Sequence, residues 1–175
     1  YEQVHDALAD DDLHRWLNDY MGEVMPTLPH VAALDLDVYR ASLLQRFANP
    51  AIGDRLLRLA QDTSTKFQQT LMPPLILLLE QGGAARCLTA ALALWMTYLD
   101  ALARNPPTRA QYQDLDAEDL IAEASAACRS GDVTDFLRAR FALPAAHELA
   151  VSTLVSQQLR VLREQGVRAA LQSFT

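Results

Sequence analysis

The stretch Pro73–Ala103, "PPLILLLEQGGAARCLTAALALWMTYLDALA", decides the fold. It is the most apolar part of the chain, and a membrane span and a core helix compete for it. A span needs about 20 consecutive apolar residues. Glu80, Gly82-Gly83 and Arg86 interrupt the run, and the clean part from Cys87 to Leu99 is only thirteen residues long. The stretch therefore reads as a short buried turn of helix over 75–81, closed by Gly82-Gly83, and then a long core helix from about Ala84 to Ala103.

The periodicity on either side is helical as well. Leu13, Trp16, Leu17, Tyr20, Met21 and Val24 recur at three- and four-residue steps, one apolar stripe on a helix of about four turns. The preceding "ADDD", Ala9–Asp12, supplies an N-cap and negative charge where a helix dipole favours it, rather than a metal site. A second helix is expected through "DVYRASLLQRFAN", with Tyr39, Leu43, Leu44 and Phe47 inward and Pro50 as its stop. "DRLLRLAQ" forms a third, with Leu56, Leu57, Leu59 and Ala60 as its apolar residues. "DTS", residues 62–64, reads as a break and a new N-cap, and a fourth helix runs from near Thr65 until "MPP" ends it.

Beyond the core helix, "NPP" opens a linker-like loop containing Arg109 and Tyr112. Asp116 is placed to cap "AEDLIAEASAACRSG", which Gly131 stops. "DVTDFLRARFAL" and the closing segment from Pro144 to Phe174 complete the pattern. No strand pattern of useful length and no internal repeat is present. The expectation is one all-α, multi-helix domain over residues 1–175.

Composition narrows the function. Half of the 175 residues are hydrophobic, enough for a substantial core and against disorder. A net charge of −7 disfavours nucleic acid and an anionic membrane surface as partners. Cys87 and Cys128 are expected as two buried thiols of a reducing, cytoplasmic compartment rather than a disulfide. The chain begins at Tyr1 and enters helical pattern almost at once, which suggests a segment of a longer polypeptide.

Catalytic signatures are missing. The six glycines form no phosphate-cradling loop, and no dinucleotide fingerprint exists. His5, His14, His30 and His147 lack metal spacing, and "HE" at His147-Glu148 lacks the second histidine of a zinc helix. No serine or cysteine sits in a nucleophile motif.

What remains is the polar segment Arg46–Lys66, "RFANPAIGDRLLRLAQDTSTK". It holds the chain's single lysine; the other fourteen basic residues are arginine. An ammonium is a compact, rotatable three-proton donor where a guanidinium is a rigid planar fork. On one continuous helix, residues eight apart stand ~12 Å apart along the axis and ~80° around it. A break at 62–64 would let the second helix fold back, so that Arg58 and Lys66 converge on one small ligand. Alternatively Arg58 pairs with Asp54 or Asp62 at four-residue spacing on an exposed face. The residues alone leave both open.

Tyr39, Arg46-Phe47, Asn49-Pro50, Asp54, Arg58, Asp62, Ser64, Lys66 and Pro73 together resemble the C-terminal domain of the mannitol dehydrogenase family, the polyol-specific long-chain dehydrogenases and reductases. The family pattern runs approximately as a tyrosine, "RF-x-NP", an aspartate or histidine, "R-I-x-x-D-G-S-x-K" and a later proline. Trp95 and Tyr98 are similar to its "A-x-W-x-x-Y" helix. The likeness covers residues 1 to about 100 clearly and the rest weakly.

This resemblance implies an N-terminal Rossmann domain binding NAD or NADP, metal-free chemistry, and a helical C-terminal domain that closes over a polyol or sugar acid, as in mannitol 2-dehydrogenase or fructuronate reductase. It implies that Arg58 and Lys66 bind substrate, with Asn49, Asp54, Asp62 and Ser64 in support. The family's general base, in "K-x4-N-x2-H", is not Lys66, because Leu71 and Pro74 occupy the later positions. Thr63 stands where the family has glycine, and Thr70 where it often has arginine. The partner is then the Rossmann domain of the same polypeptide, with a homo-oligomer also open, and an apolar face is expected near the helices carrying Arg58 and Lys66. The reading from another class is a non-catalytic helical interaction or dimerisation domain.

Overall fold

A computed structural model describes residues 1–30 and 34–174. Its helices are α1 (Val4–Leu8), α2 (Asp11–Val24), α3 (Leu36–Phe47), α4 (Leu56–Leu59), α5 (Thr63–Lys66), α6 (Met72–Glu80), α7 (Arg86–Ala103), α8 (Pro106–Arg109), α9 (Ala117–Ser130), α10 (Thr134–Arg140) and α11 (Ala145–Ser173). No strand occurs among the described residues; one isolated bridge joins Gln3 to Arg55. The all-α expectation holds, and no described helix is long and apolar enough to cross a membrane.

Helix α7 is the axis of the core. Leu88, Leu92, Met96 and Leu99 are fully buried along it, and Ala90 and Ala93 are buried between them. A helix apolar on nearly every side needs neighbours all round. Helices α9 and α11 supply most of these contacts, and α2 lays Trp16 against the same cluster. Removing each such leucine from water contributes about 1.5–3 kcal/mol before the chain-entropy cost.

Caps couple the helices to one another. Asp10 accepts from the backbone of Asp12 and Leu13 at 3.0 and 3.2 Å, as its place before α2 predicts. The N-terminus of α7 has no local side-chain cap; Glu23 of α2 reaches across and accepts from Leu88 N at 2.8 Å. Gly131 ends α9 at φ +80°, the left-handed geometry glycine adopts without strain.

Several local expectations are corrected. "MPP" does not end a helix. After α5 the chain makes a π-turn over Phe67–Leu71, in which Met72 N donates to Phe67 O, and Pro73 and Pro74 then sit in the first turn of α6. Within α6 itself the first-turn N–H groups have no α-type acceptor, which makes these positions tolerant of proline. Tyr39 does not point inward: it is 51 % exposed, and Leu44 is the one buried residue of α3. Leu59 is likewise 38 % exposed. Asp116 occupies the N-cap position of α9 at φ +49° and makes no capping bond.

Both cysteines are free and buried. Burial, with the charges of Glu23 and Asp19 nearby, pushes the Cys87 thiol up to about 12. Burial and Asp100 push Cys128 up to about 11. The thiolate is the reactive form. Iodoacetamide at neutral pH should therefore leave both cysteines of the native chain unlabelled under conditions that alkylate the denatured chain completely. Rapid labelling of the native chain would contradict this packing.

Candidate substrate-binding corner

The residues singled out in the polar segment follow one another from the end of α3 through α4 into α5. Asn49 begins the approach by accepting from Ala51 N at 2.9 Å, which caps the turn Pro50–Ile52. The chain then pairs briefly with the N-terminal segment: Val4 N donates to Asp54 O at 2.9 Å and Leu56 N to Glu2 O at 3.1 Å. This fixes the backbone on both sides of Arg55 and holds the Asp54 carboxylate behind α4.

Arg58 grips that carboxylate with two bonds, Nε to Oδ1 at 2.7 Å and Nη2 to Oδ2 at 2.5 Å. Of the two partners the spacing allowed, the structure selects Asp54 and not Asp62. The guanidinium's hydrogen bonds, and secondarily its charge, hold the Asp54 carboxyl below its ordinary range. The same bonds raise the Arg58 pKa. The pair is salt-screened at the surface on the arginine side, whose side chain is 67 % exposed.

Lys66 folds back onto α4. Its ammonium donates to Leu59 O at 3.0 Å and Gln61 O at 2.6 Å, closing the C-terminal end of the helix that carries Arg58. The break at 62–64 turns Lys66 back onto the C-terminal end of α4, while Arg58 reaches Asp54 at its N-terminal side, so each cation is held by its own protein partners. Neither is exhausted. An ammonium has three donors and two are used here, leaving one; a guanidinium has five and two are used, leaving three. These unused N–H groups at an exposed corner can receive hydroxyl or carboxylate oxygens.

Thr63, where the resemblance has glycine, is not asked to take a left-handed conformation. Asp62 takes φ +52°, and Thr63 is the first helical residue of α5. Aspartate tolerates that region far better than a β-branched residue. Thr63 is instead buried, its hydroxyl donating to Ala60 O at 2.8 Å. Asp62 supports the corner through its backbone, N–H to Gln113 O at 2.9 Å and carbonyl from Lys66 N at 3.0 Å, and makes no side-chain cap. Thr70 donates to Lys66 O at 2.8 Å, so no cation stands one turn beyond Lys66.

One participant escaped the sequence reading. Ser64 N donates to the carboxylate of Asp114 at 3.0 Å, and the Ser64 hydroxyl bonds it as well. Asp114 lies in the loop between α8 and α9, fifty residues downstream, where "QYQDLD" gave only loop composition. The described residues contain no group of histidines, cysteines and carboxylates fit for a metal. They also offer no strand–turn–helix cradle for a dinucleotide.

Several large hydrophobic side chains are exposed in the segment flanking α4. Leu28, Leu34, Val38, Tyr39, Ile52 and Leu59 are all exposed large hydrophobics. They account for most of those on the described surface.

Comparison with known proteins identifies the family and the fold. Mannitol 2-dehydrogenase of Phaeosphaeria nodorum is 33% identical over 126 residues, 71% of this chain and 22% of that protein. The Emericella nidulans enzyme of the same name is 32% identical over 127 residues, 72% of this chain and 25% of its own. The chain therefore spans about a quarter or less of these relatives. Among solved structures, Pseudomonas fluorescens mannitol 2-dehydrogenase in ternary complex with NAD and D-mannitol superposes with TM-score 0.76 at 24% identity, over 99% of this chain and 35% of that one. A substrate-free D-sorbitol dehydrogenase gives TM-score 0.73 at 24% identity, over 98% and 35%. The fold likeness thus continues through α10 and α11, well past the residues that carry the motif. Residues 1–138 match the model of the mannitol dehydrogenase C-terminal domain, and the chain belongs to that family.

Proposed function

We propose that this chain is the substrate-side domain of a cytoplasmic, NAD-dependent polyol dehydrogenase that oxidises a secondary alcohol of a polyol to the ketone. The observation that carries the reading is that Arg58 and Lys66, on successive helices, are exposed cations that each keep unused donors, at the positions the family resemblance gives to substrate binding. A polyol presents several equivalent-looking hydroxyls. Fixing two of them selects which carbon faces the hydride acceptor and converts an encounter into an oriented reaction.

NAD would supply the hydride acceptor. The helices of this chain do not fit a dinucleotide, so the cofactor and the general base belong to the rest of the polypeptide. The exposed apolar residues between Leu28 and Leu59 are the surface that this other domain covers. Arg58 and Lys66 bind and orient the substrate; neither removes its proton. Sugar acids are a second substrate class, since a carboxylate would accept from the Arg58 fork more strongly than a hydroxyl does.

The test is steady-state reduction of NAD and of NADP by the full-length polypeptide with D-mannitol, D-sorbitol, a pentitol and an aldonate. Saturable, NAD-preferring turnover of at least one polyol is expected. Nucleotide binding without turnover of any of these substrates would reject the assignment.

A further inference from the structure

Little apolar packing holds the corner that carries Lys66. Helix α5 is a single turn, and Asp62, Thr65 and Lys66 are exposed. The turn continues through Phe67–Leu71 into α6, which anchors its C-terminal end. Its N-terminal end, where the chain leaves α4, is held by the loop before α9. The Gln61 side-chain amide donates to Gln111 O at 3.1 Å and its carbonyl accepts from Gln113 N, beside the bond from Asp62 N to Gln113 O.

Asp114 then gathers four donors on one carboxylate: Ser64 N, the Ser64 hydroxyl, the Tyr112 hydroxyl at 2.6 Å and its neighbour Leu115 N at 2.8 Å. A carboxylate has about four lone-pair sites, so its capacity is filled. Two of the four donors belong to the first turn of α5, where a negative charge also suits the helix N-terminus. Tyr112 is buried, and its ring lies edge-on to Tyr98 of α7 at 5.9 Å. Burial first, and then the bond to Asp114, raise the Tyr112 pKa, so the phenol remains a donor at neutral pH. A continuous chain of contacts thus runs from the core helix α7 through Tyr98, Tyr112, Asp114 and Ser64 to Lys66, two residues further on.

We propose that Asp114 is the positioning residue for the Lys66 substrate contact: by binding Ser64 and Tyr112 together it ties the one-turn helix α5 to the core and sets where the ammonium stands. This rests on the assignment of Lys66 to substrate binding above. A carboxylate that only stapled the loop to the fold would also stabilise the protein, so loss of stability alone does not distinguish the two.

A double-mutant cycle does. In the full-length polypeptide, Asp114→Asn keeps the side chain's size but removes its charge and one acceptor. Its kcat/KM for the best polyol should fall about 10- to 100-fold, the effect of displacing a substrate-orienting group by about 1 Å. The dissociation constant for NAD should not change. In a Lys66→Ala background the same substitution should lower kcat/KM by no more than about twofold further, the scatter of additive pairs. A full additional loss in that background means that Asp114 does not act through Lys66, and overturns the proposal. If Asp114→Asn does not fold, Ser64→Ala runs the same cycle while leaving the carboxylate its other donors. Normal kcat/KM in Lys66→Ala alone would reject the substrate assignment of Lys66, and with it any positioning role for Asp114; additivity beside an impaired Lys66→Ala rejects the positioning role alone.

Discussion

Leu92→Ala is expected to lower the unfolding free energy by about 2–5 kcal/mol, the range for truncating a buried leucine. Leu92 is 0 % exposed at the middle of α7. The substitution removes the transfer energy of the lost carbons and leaves a cavity whose walls belong to separate helices. Backbone hydrogen bonds fix those walls, and they cannot all move inward at once. Leu59→Ala provides the contrast, because its side chain is already partly in water. In the isolated chain that substitution should change stability by no more than about 0.5 kcal/mol. Urea unfolding of both variants, compared at equal denaturant slope, makes the measurement. A loss below about 1 kcal/mol in Leu92→Ala would mean that α7 is not the axis of a close-packed core.

That axis was legible in the sequence because Cys87–Leu99 carries almost nothing polar, and only an interior helix tolerates such a face on every side. The polar corner was legible in part. Arg58 and Lys66 stood out through their spacing and chemistry, whereas their partners depended on where the break fell. A periodicity argument could not see that the left-handed residue would be Asp62 rather than Thr63, since one residue's backbone decides it. Nor could it see the π-turn that moves Pro73 and Pro74 from the end of one helix into the start of another. Tyr39 was placed inward because apolar residues at helical spacing imply a buried face, but Leu44 alone of the α3 residues is buried. Asp114 was out of reach, because a contact across fifty residues leaves no local pattern.

Lys66→Ala in the full-length polypeptide is expected to lower kcat/KM for the preferred polyol by about 1.5–3 kcal/mol, the range for a hydrogen bond to a charged group. That corresponds to a loss of roughly tenfold to somewhat over a hundredfold. The ammonium bonds the carbonyls of Leu59 and Gln61. A substrate oxygen can therefore take its third proton without displacing either bond, and the binding geometry is largely prepared. The same two carbonyls explain why Lys66→Arg should rescue only in part: a planar fork cannot point one donor at each of two carbonyls and another at a ligand off that plane. Affinity for NAD should be unchanged in both variants, because the proposed function assigns the nucleotide to another domain. Arg58→Ala should show a loss of similar size. If the two cations hold one ligand, the double variant should lose less than the sum of the two. Steady-state kinetics on variants first checked for native thermal unfolding separate a ligand contact from a helix cap. A cap would cost about 0.5–1.5 kcal/mol of stability per hydrogen bond and leave kcat/KM intact. Near-normal efficiency in both single variants on the best substrate would remove Arg58 and Lys66 from the binding site.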